Sequence, residues 1–140
     1  MAPPFIAYFA VLDNGGGELP LLQVAYDQCR LYRDALRDPG GLWKHVVLGS
    51  WQDNSHWATG SHTSCCSSRP KIIKLLLGNA WAAAGMLRVR ETIRHSGQAS
   101  ILAQQQANLT EWIQEILNAT LPYQVCPPAA AHDQHHSIFH

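Results

Sequence analysis

Apolar residues in this chain recur at helical spacing in four stretches, and glycine or proline separates one stretch from the next. Pro3 to Leu12 (PPFIAYFAVL) is apolar throughout and opens on prolines, which the first turn of a helix tolerates. The run Asp13-Asn14-Gly15-Gly16-Gly17 ends it. Across Glu18 to Asp38, Leu21, Leu22, Ala25, Cys29, Tyr32 and Leu36 recur at three- and four-residue steps. Asp27, Arg30, Arg33, Asp34 and Arg37 fall mostly on the other side, and Asp38-Pro39-Gly40-Gly41 stops the helix. A third helix is expected over Asn79 to His95, with an Ala-rich buried face, with Trp81, Ala84, Leu87 and Arg88 sharing one side, and with Gly97 as its stop. A fourth is expected over Ser100 to Leu121, with Ile101, Leu102, Leu109, Trp112, Ile113, Ile116 and Leu117 facing inward and Pro122 closing it. Gln104-Gln105-Gln106 reads as its solvated face. The pattern predicts an all-α chain of antiparallel helical hairpins.

Composition narrows the function classes. The 140 residues carry ten basic and ten acidic side chains, and zero net charge argues against a general nucleic-acid binder, which needs a basic face. No apolar run reaches the ~18 residues of a membrane span. Met1-Ala2-Pro3-Pro4-Phe5 has no basic n-region, so no ordinary signal peptide is read there. Gly15-Gly16-Gly17 lacks the following Lys of a phosphate loop. Cys29, Cys65, Cys66 and Cys126 offer no Cys-x-x-Cys pair, and they read as free thiols rather than a disulfide framework or a zinc site. Charged residues make up only 14%, against a usual ~25%, which is low for a lone small domain.

Two segments depart from helical logic. Leu42 to Trp57 (LWKHVVLGSWQDNSHW) mixes β-branched, aromatic and polar residues, as expected for an ordered loop with a short strand pair. Its three Trp and two His make it a candidate binding loop on a helical scaffold. Residues 61–77 (SHTSCCSSRPKIIKLLL) begin small and polar and end basic and aliphatic. From residue 126 to 140 the chain becomes a His-rich tail, expected to be disordered; adjacent His135 and His136 point apart in a regular strand and suit a metal site poorly.

The segments GLWKHVVLGSWQDNSHWATG and NAWAAAGMLRV, together with PPFIAYFAVL, YDQCRLYRDALRDPGGLWKH and NLTEWIQEIL, resemble the six-hairpin glycosidases related to unsaturated rhamnogalacturonyl hydrolases. These form glycoside hydrolase family 105, close to family 88, and the likeness is to fungal members. It covers most of residues 2–124. It implies a double-layered (α/α)6 toroid, of which residues 1–125 hold about two hairpins plus the aromatic-rich loop, as an internal fragment. It implies hydrolysis of unsaturated uronyl residues on pectin or rhamnogalacturonan oligosaccharides, without a cofactor or metal. A carboxylic acid protonates the 4,5-ene of the sugar and then activates water, which is general acid–base work that needs a raised carboxyl pKa.

Residue by residue, the resemblance implies an oligosaccharide-binding set and no catalytic residue. The family's catalytic Asp lies just upstream of a stretch similar to Ala2–Phe9, so the general acid is expected before Met1. His45 in LWKH resembles a cleft-lining His that donates to sugar oxygens; it reads equally as a loop histidine. Asp53 matches a Trp-x-Asp position that accepts hydroxyl hydrogen bonds; it reads equally as the turn-former of Asp53-Asn54-Ser55. His56 and Trp57 share that loop, and Trp57 stands as a sugar-stacking face or as core packing. Trp81 in Asn79-Ala80-Trp81 resembles the family's Gly-Asn-x-Trp element, as a stacking face or a core residue. The Arg that binds the uronate in bacterial members has no counterpart here; Thr59 or an inserted residue takes its place.

Three expectations follow. Non-catalytic readings, as a truncated fragment, a gene-model artefact or a small carbohydrate-binding helical module, stand beside the hydrolase one. Extracellular placement is implied only for a longer relative, where the Asn108-Leu109-Thr110 and Asn118-Ala119-Thr120 sequons would count. Faces that neighbouring hairpins would bury lie open, so poor solubility or a molten, aggregating product is expected. Intact motifs on both sides of residues 61–77 read as an intron translated in frame, and otherwise as an exposed loop at the cleft mouth. Sequencing the mature transcript is expected to show a message without codons for Cys65-Cys66; a message that keeps them overturns the intron reading.

Overall fold

The computed structural model describes residues 2–12, 16–47, 50, 53–56 and 70–123. In chain order the elements are α1 (Pro3–Leu12), α2 (Leu19–Leu36), β1 (Lys44–Val46), β2 (Asp53–His56), α3 (Pro70–His95) and α4 (Ala103–Thr120), followed by a 3-10 turn at Leu121–Tyr123. The fold class is all-α as expected. The strand pair is short and antiparallel, with Lys44 opposite His56 and Val46 opposite Asp53, and the unequal spacing marks an irregularity between Lys44 and Val46.

The helices form two layers. α1 and α2 make one antiparallel hairpin, α3 and α4 another, and α1 packs on α3. α2 and α4 meet through side chains that keep one sequence separation. Gln105 Nε2 donates to Gln23 Oε1 at 3.0 Å, Asn108 Nδ2 to the Tyr26 hydroxyl at 2.7 Å, and the Arg33 guanidinium to Glu115 Oε2 at 2.9 Å. Each pair is 82 residues apart. A constant separation along two helices means that they run parallel and in register. At the turns, Gln98 Nε2 donates to the Gly17 carbonyl at 3.2 Å, which holds the two hairpin bends side by side. Gly97 is required there by proximity: a Cβ on it would lie 2.9 Å from the Gly16 carbonyl oxygen. It is no left-handed helix stop, since the positive-φ glycines among the described residues are Gly17 and Gly41.

The core runs between the layers: Ala7, Ala10, Leu22, Ala25, Tyr26, Cys29, Trp43, Ala82, Ala83, Met86, Val89, Ile93, Leu102, Leu109, Trp112 and Ile116. Tyr26 stacks on Trp112 with ring centroids 5.5 Å apart, and the Arg33 guanidinium lies 5.3 Å from the Trp112 ring centroid. Leu22, Ala25, Cys29, Leu102, Leu109, Trp112 and Ile116 are buried as expected, whereas Tyr32, Ile101 and Leu117 are exposed. Burial pushes the Cys29 thiol up to about 12, so it is packing material and not a nucleophile.

Two expectations are corrected. α3 begins at Pro70, not Asn79, so residues 70–77 continue the helix rather than forming an exposed loop. Proline suits a first helical turn, and the aliphatic run behind it propagates readily. Residues 61–69 and the 126–140 tail lie outside the described residues. The side of α3 that carries Trp81, Leu87 and Arg88 faces out, and Ala82, Ala83, Met86, Val89 and Ile93 face in. Small side chains on that inner side let α3 approach Ala7 and Ala10 of α1 closely.

Glu115 ties α4 to α2, receiving Arg33 of α2 and Arg37 just past its end at once. Partial burial pushes its carboxyl up, but the hydrogen bonds and charges of Arg37 and Arg33 outweigh this and hold it below the ordinary value. A depressed folded value means stability that is present above the ordinary glutamate range and lost as pH falls through it. Comparing urea midpoints of wild type and Glu115→Gln at pH 7 and at about pH 3 is therefore expected to give a clear wild-type advantage that shrinks in acid.

Candidate functional site

The connection from α2 to α3 leaves the bundle through a turn built on Asp38. Its Oδ1 accepts from the Leu42 amide at 3.0 Å, and its own amide donates to the Leu42 carbonyl at 2.8 Å. Gly41 sits at φ +89°, a conformation that favours glycine, and a Cβ there would press on Glu115 and Ala119. The turn delivers Leu42 and Trp43 into the core, and Trp43 is 1% exposed.

Trp43 is then fastened to α3. Its amide donates to Asn79 Oδ1 at 2.8 Å, and Asn79 Nδ2 donates back to the Trp43 carbonyl at 3.4 Å. Asn79 is fully buried, so one amide side chain does what a neighbouring strand would do for a peptide unit. The Trp43 indole N–H has no acceptor among the described residues. β1 starts at the next residue and β2 comes back against α3. The expected loop 42–57 is therefore a strand pair anchored at its root.

Placement of the sequence-derived candidates follows from this anchor. His45 lies in the middle of β1, and Asp53 and His56 are the first and last residues of β2. The hairpin brings these three backbones together. Trp81 follows Asn79 by two positions on α3 and is 56% exposed, outside the core of the described residues. Trp57 lies outside the described residues. Asn79 and Trp43 are the positions whose weight the sequence reading missed. The signal was an asparagine inside an apolar helical run and a tryptophan two residues after Gly40-Gly41.

Glu91 is held below the ordinary carboxylate value mainly because Arg94 hydrogen-bonds to it, and Glu115 because Arg37 and Arg33 outweigh the opposing effect of burial. No group of three or more His, Cys, Asp or Glu among the described residues could hold a metal ion. No helix of the described residues is long and apolar enough to cross a membrane. Both sequon asparagines lie on α4, where the Asn108 amide is already committed to Tyr26. A shallow groove of about 420 Å³ runs between α1 and α3, lined by Tyr8, Val11, Leu87, Arg88, Glu91, Thr92 and His95, and it does not include the hairpin.

Comparison with protein-family models, curated proteins and solved structures finds no match to the chain.

Replacing Asn79 with Ala strands the Trp43 peptide unit in the core. The expected cost is about 3 kcal/mol, read as a lower urea midpoint together with faster amide exchange at Trp43. An unchanged midpoint would mean that the anchor contributes nothing.

Proposed function

We propose that this chain is a two-hairpin slice of an (α/α)6 toroid of the unsaturated glycuronyl hydrolase type, and that its candidate site binds the uronyl end of a pectin-derived oligosaccharide. The observation that carries the site is Trp81. A large aromatic face stands exposed two positions along α3 from the buried Asn79–Trp43 anchor, the anchor from which the strand pair carrying His45, Asp53 and His56 starts. An exposed indole is a face on which a sugar ring stacks. Its C–H face stacks on the aromatic ring, and its hydroxyls and carboxylate take hydrogen bonds at the edge.

Two features support the toroid part of the reading. The constant separation of 82 residues sets α2 and α4 parallel and side by side, as the equivalent helices of adjacent hairpins in such a ring would lie. The layers also differ in composition as inner and outer helices of a double-layered ring would. α1 carries no charged residue, and α3 carries none from Leu75 to Leu87; α2 instead turns a charged side to solvent.

In the hydrolase reading, His45 and Asp53 hold the uronyl ring against Trp81 while a carboxylic acid protonates the ene carbon and then draws a proton from the water that adds at C5. The collapsing hemiketal releases the next sugar. A second reading, a carbohydrate-binding helical module without turnover, needs the same exposed Trp81 face and no acid.

Titration with 4,5-unsaturated galacturonyl-rhamnose separates the readings. Saturable binding that weakens about tenfold in Trp81→Ala is expected under both. Loss of the ene absorbance with time selects the hydrolase, and binding without that loss selects the module. Absence of binding overturns both.

A further inference from the structure

Trp81 and Arg88 stand seven residues apart on α3, which sets them on one side of the helix, two turns and about 10 Å from each other. Trp81 is more than half exposed, and Arg88 is exposed as well. On that side the positions between them are Ala84 and Gly85, so no bulky side chain breaks the path from the indole to the guanidinium. Arg88 then borders the shallow α1–α3 groove, with Tyr8 of α1 and its own neighbour Leu87 among the lining residues. Among the described residues that groove is lined by α1 and α3 alone, so it opens away from α2 and α4. In a double-layered ring with α1 and α3 as inner helices, that side faces the centre and not a neighbouring hairpin.

Charge says what fits there. Glu91 is the only acid on α3, and Arg90 and Arg94 hold it. Arg88 has no ion pair among the described residues. This end of α3 therefore sets three guanidiniums against one carboxylate, and Arg88 is the one left over. A guanidinium offers a planar fork of donors that takes a carboxylate through two parallel hydrogen bonds. A sugar ring stacks on an indole face. A ligand that uses both carries a ring at one point and an ionised carboxylate further along the same chain. We propose that this line binds a polyuronate chain, with one ring on Trp81 and the carboxylate of a uronate further along on Arg88. The inference rests on the oligosaccharide reading and deepens it: the chain that binds carries acid groups beyond its end ring.

Calorimetric titration of the full chain with trigalacturonate and with its fully methyl-esterified form tests it, with far-UV circular dichroism on every variant. The two ligands have the same rings, and only the first is charged. Wild type is expected to bind the acid about tenfold more tightly than the ester, and this advantage is expected to shrink as salt rises from about 0.01 M to about 0.15 M. Arg88→Gln is expected to bring the acid down to the affinity of the ester and to leave the ester unchanged. Arg88→Lys keeps the charge without the fork and is expected to retain part of the advantage. Trp81→Ala is expected to weaken both ligands. Arg30→Gln, at an exposed guanidinium on α2, is expected to change neither. Equal binding of acid and ester by wild type overturns this inference and leaves the oligosaccharide reading standing. So does an acid preference that survives Arg88→Gln, or one that Arg30→Gln lowers as much as Arg88→Gln does. Binding of neither ligand overturns both.

Discussion

An amide side chain with no access to water must find partners inside the protein, because each unmade hydrogen bond there costs about 1–3 kcal/mol. Asn79 is in that position, and it spends its oxygen and nitrogen on the amide and carbonyl of Trp43. The pairing works in both directions. The Trp43 peptide leaves a tight turn with no helix to satisfy it, and Asn79 supplies what a strand neighbour would. With that exchange made, Trp43 can fill the core between α2 and α3, and the strand pair has a fixed root. Everything proposed for the candidate site hangs on this geometry. His45 and Lys44 follow Trp43 directly, and Trp81 follows Asn79 by half a turn.

The second constraint is the contact between the hairpins. α1 and α3 meet through Ala7, Ala10, Ala82 and Ala83, and small side chains allow close approach. α2 and α4 meet through polar and aromatic groups: Gln23 with Gln105, Tyr26 with Asn108 and Trp112, and Arg33 with Glu115. One layer is joined by shape and the other by hydrogen bonds with defined partners. Shape alone allows two helices to slide past each other, whereas a ladder of pairs at one separation does not. The polar ladder therefore sets the register that the alanines accept.

The limits of α1 and α2 were legible because proline and glycine punctuate both ends, and those effects are local. The inward residues of α2 and α4 were mostly legible because each helix has one polar side. α3 was not, for a physical reason. Between Leu75 and Leu87 it has no charged residue, so periodicity cannot tell which apolar side faces the core. The side facing α1 and α4 carries Ala82, Ala83, Met86, Val89 and Ile93, and Trp81 and Leu87 lie outward. The strand pair was legible as irregular aromatic sequence, but its anchor was not. Trp43 and Asn79 lie 36 residues apart, and nothing within either segment points to the other. Trp81 was selected by motif likeness, and it lies outside the core of the described residues.

The two unresolved choices of apolar side, on α1 and on α3, have a common cause. A helix that is apolar all round has no preferred face until something larger selects one, and a two-layer pair of hairpins can cover only part of it. Given that choice, both helices turn their small residues toward each other and leave Phe5, Phe9, Leu12 and Trp81 outside. Hydrophobic burial within this chain alone would favour the reverse, since an aromatic side chain gains far more from leaving water than an alanine does. The observed orientation is favourable only if the gap between layers is narrow and the aromatic side has a partner of its own. Glu115 and the paired glutamines fix the spacing of α2 and α4, and the small inward residues fix that of α1 and α3.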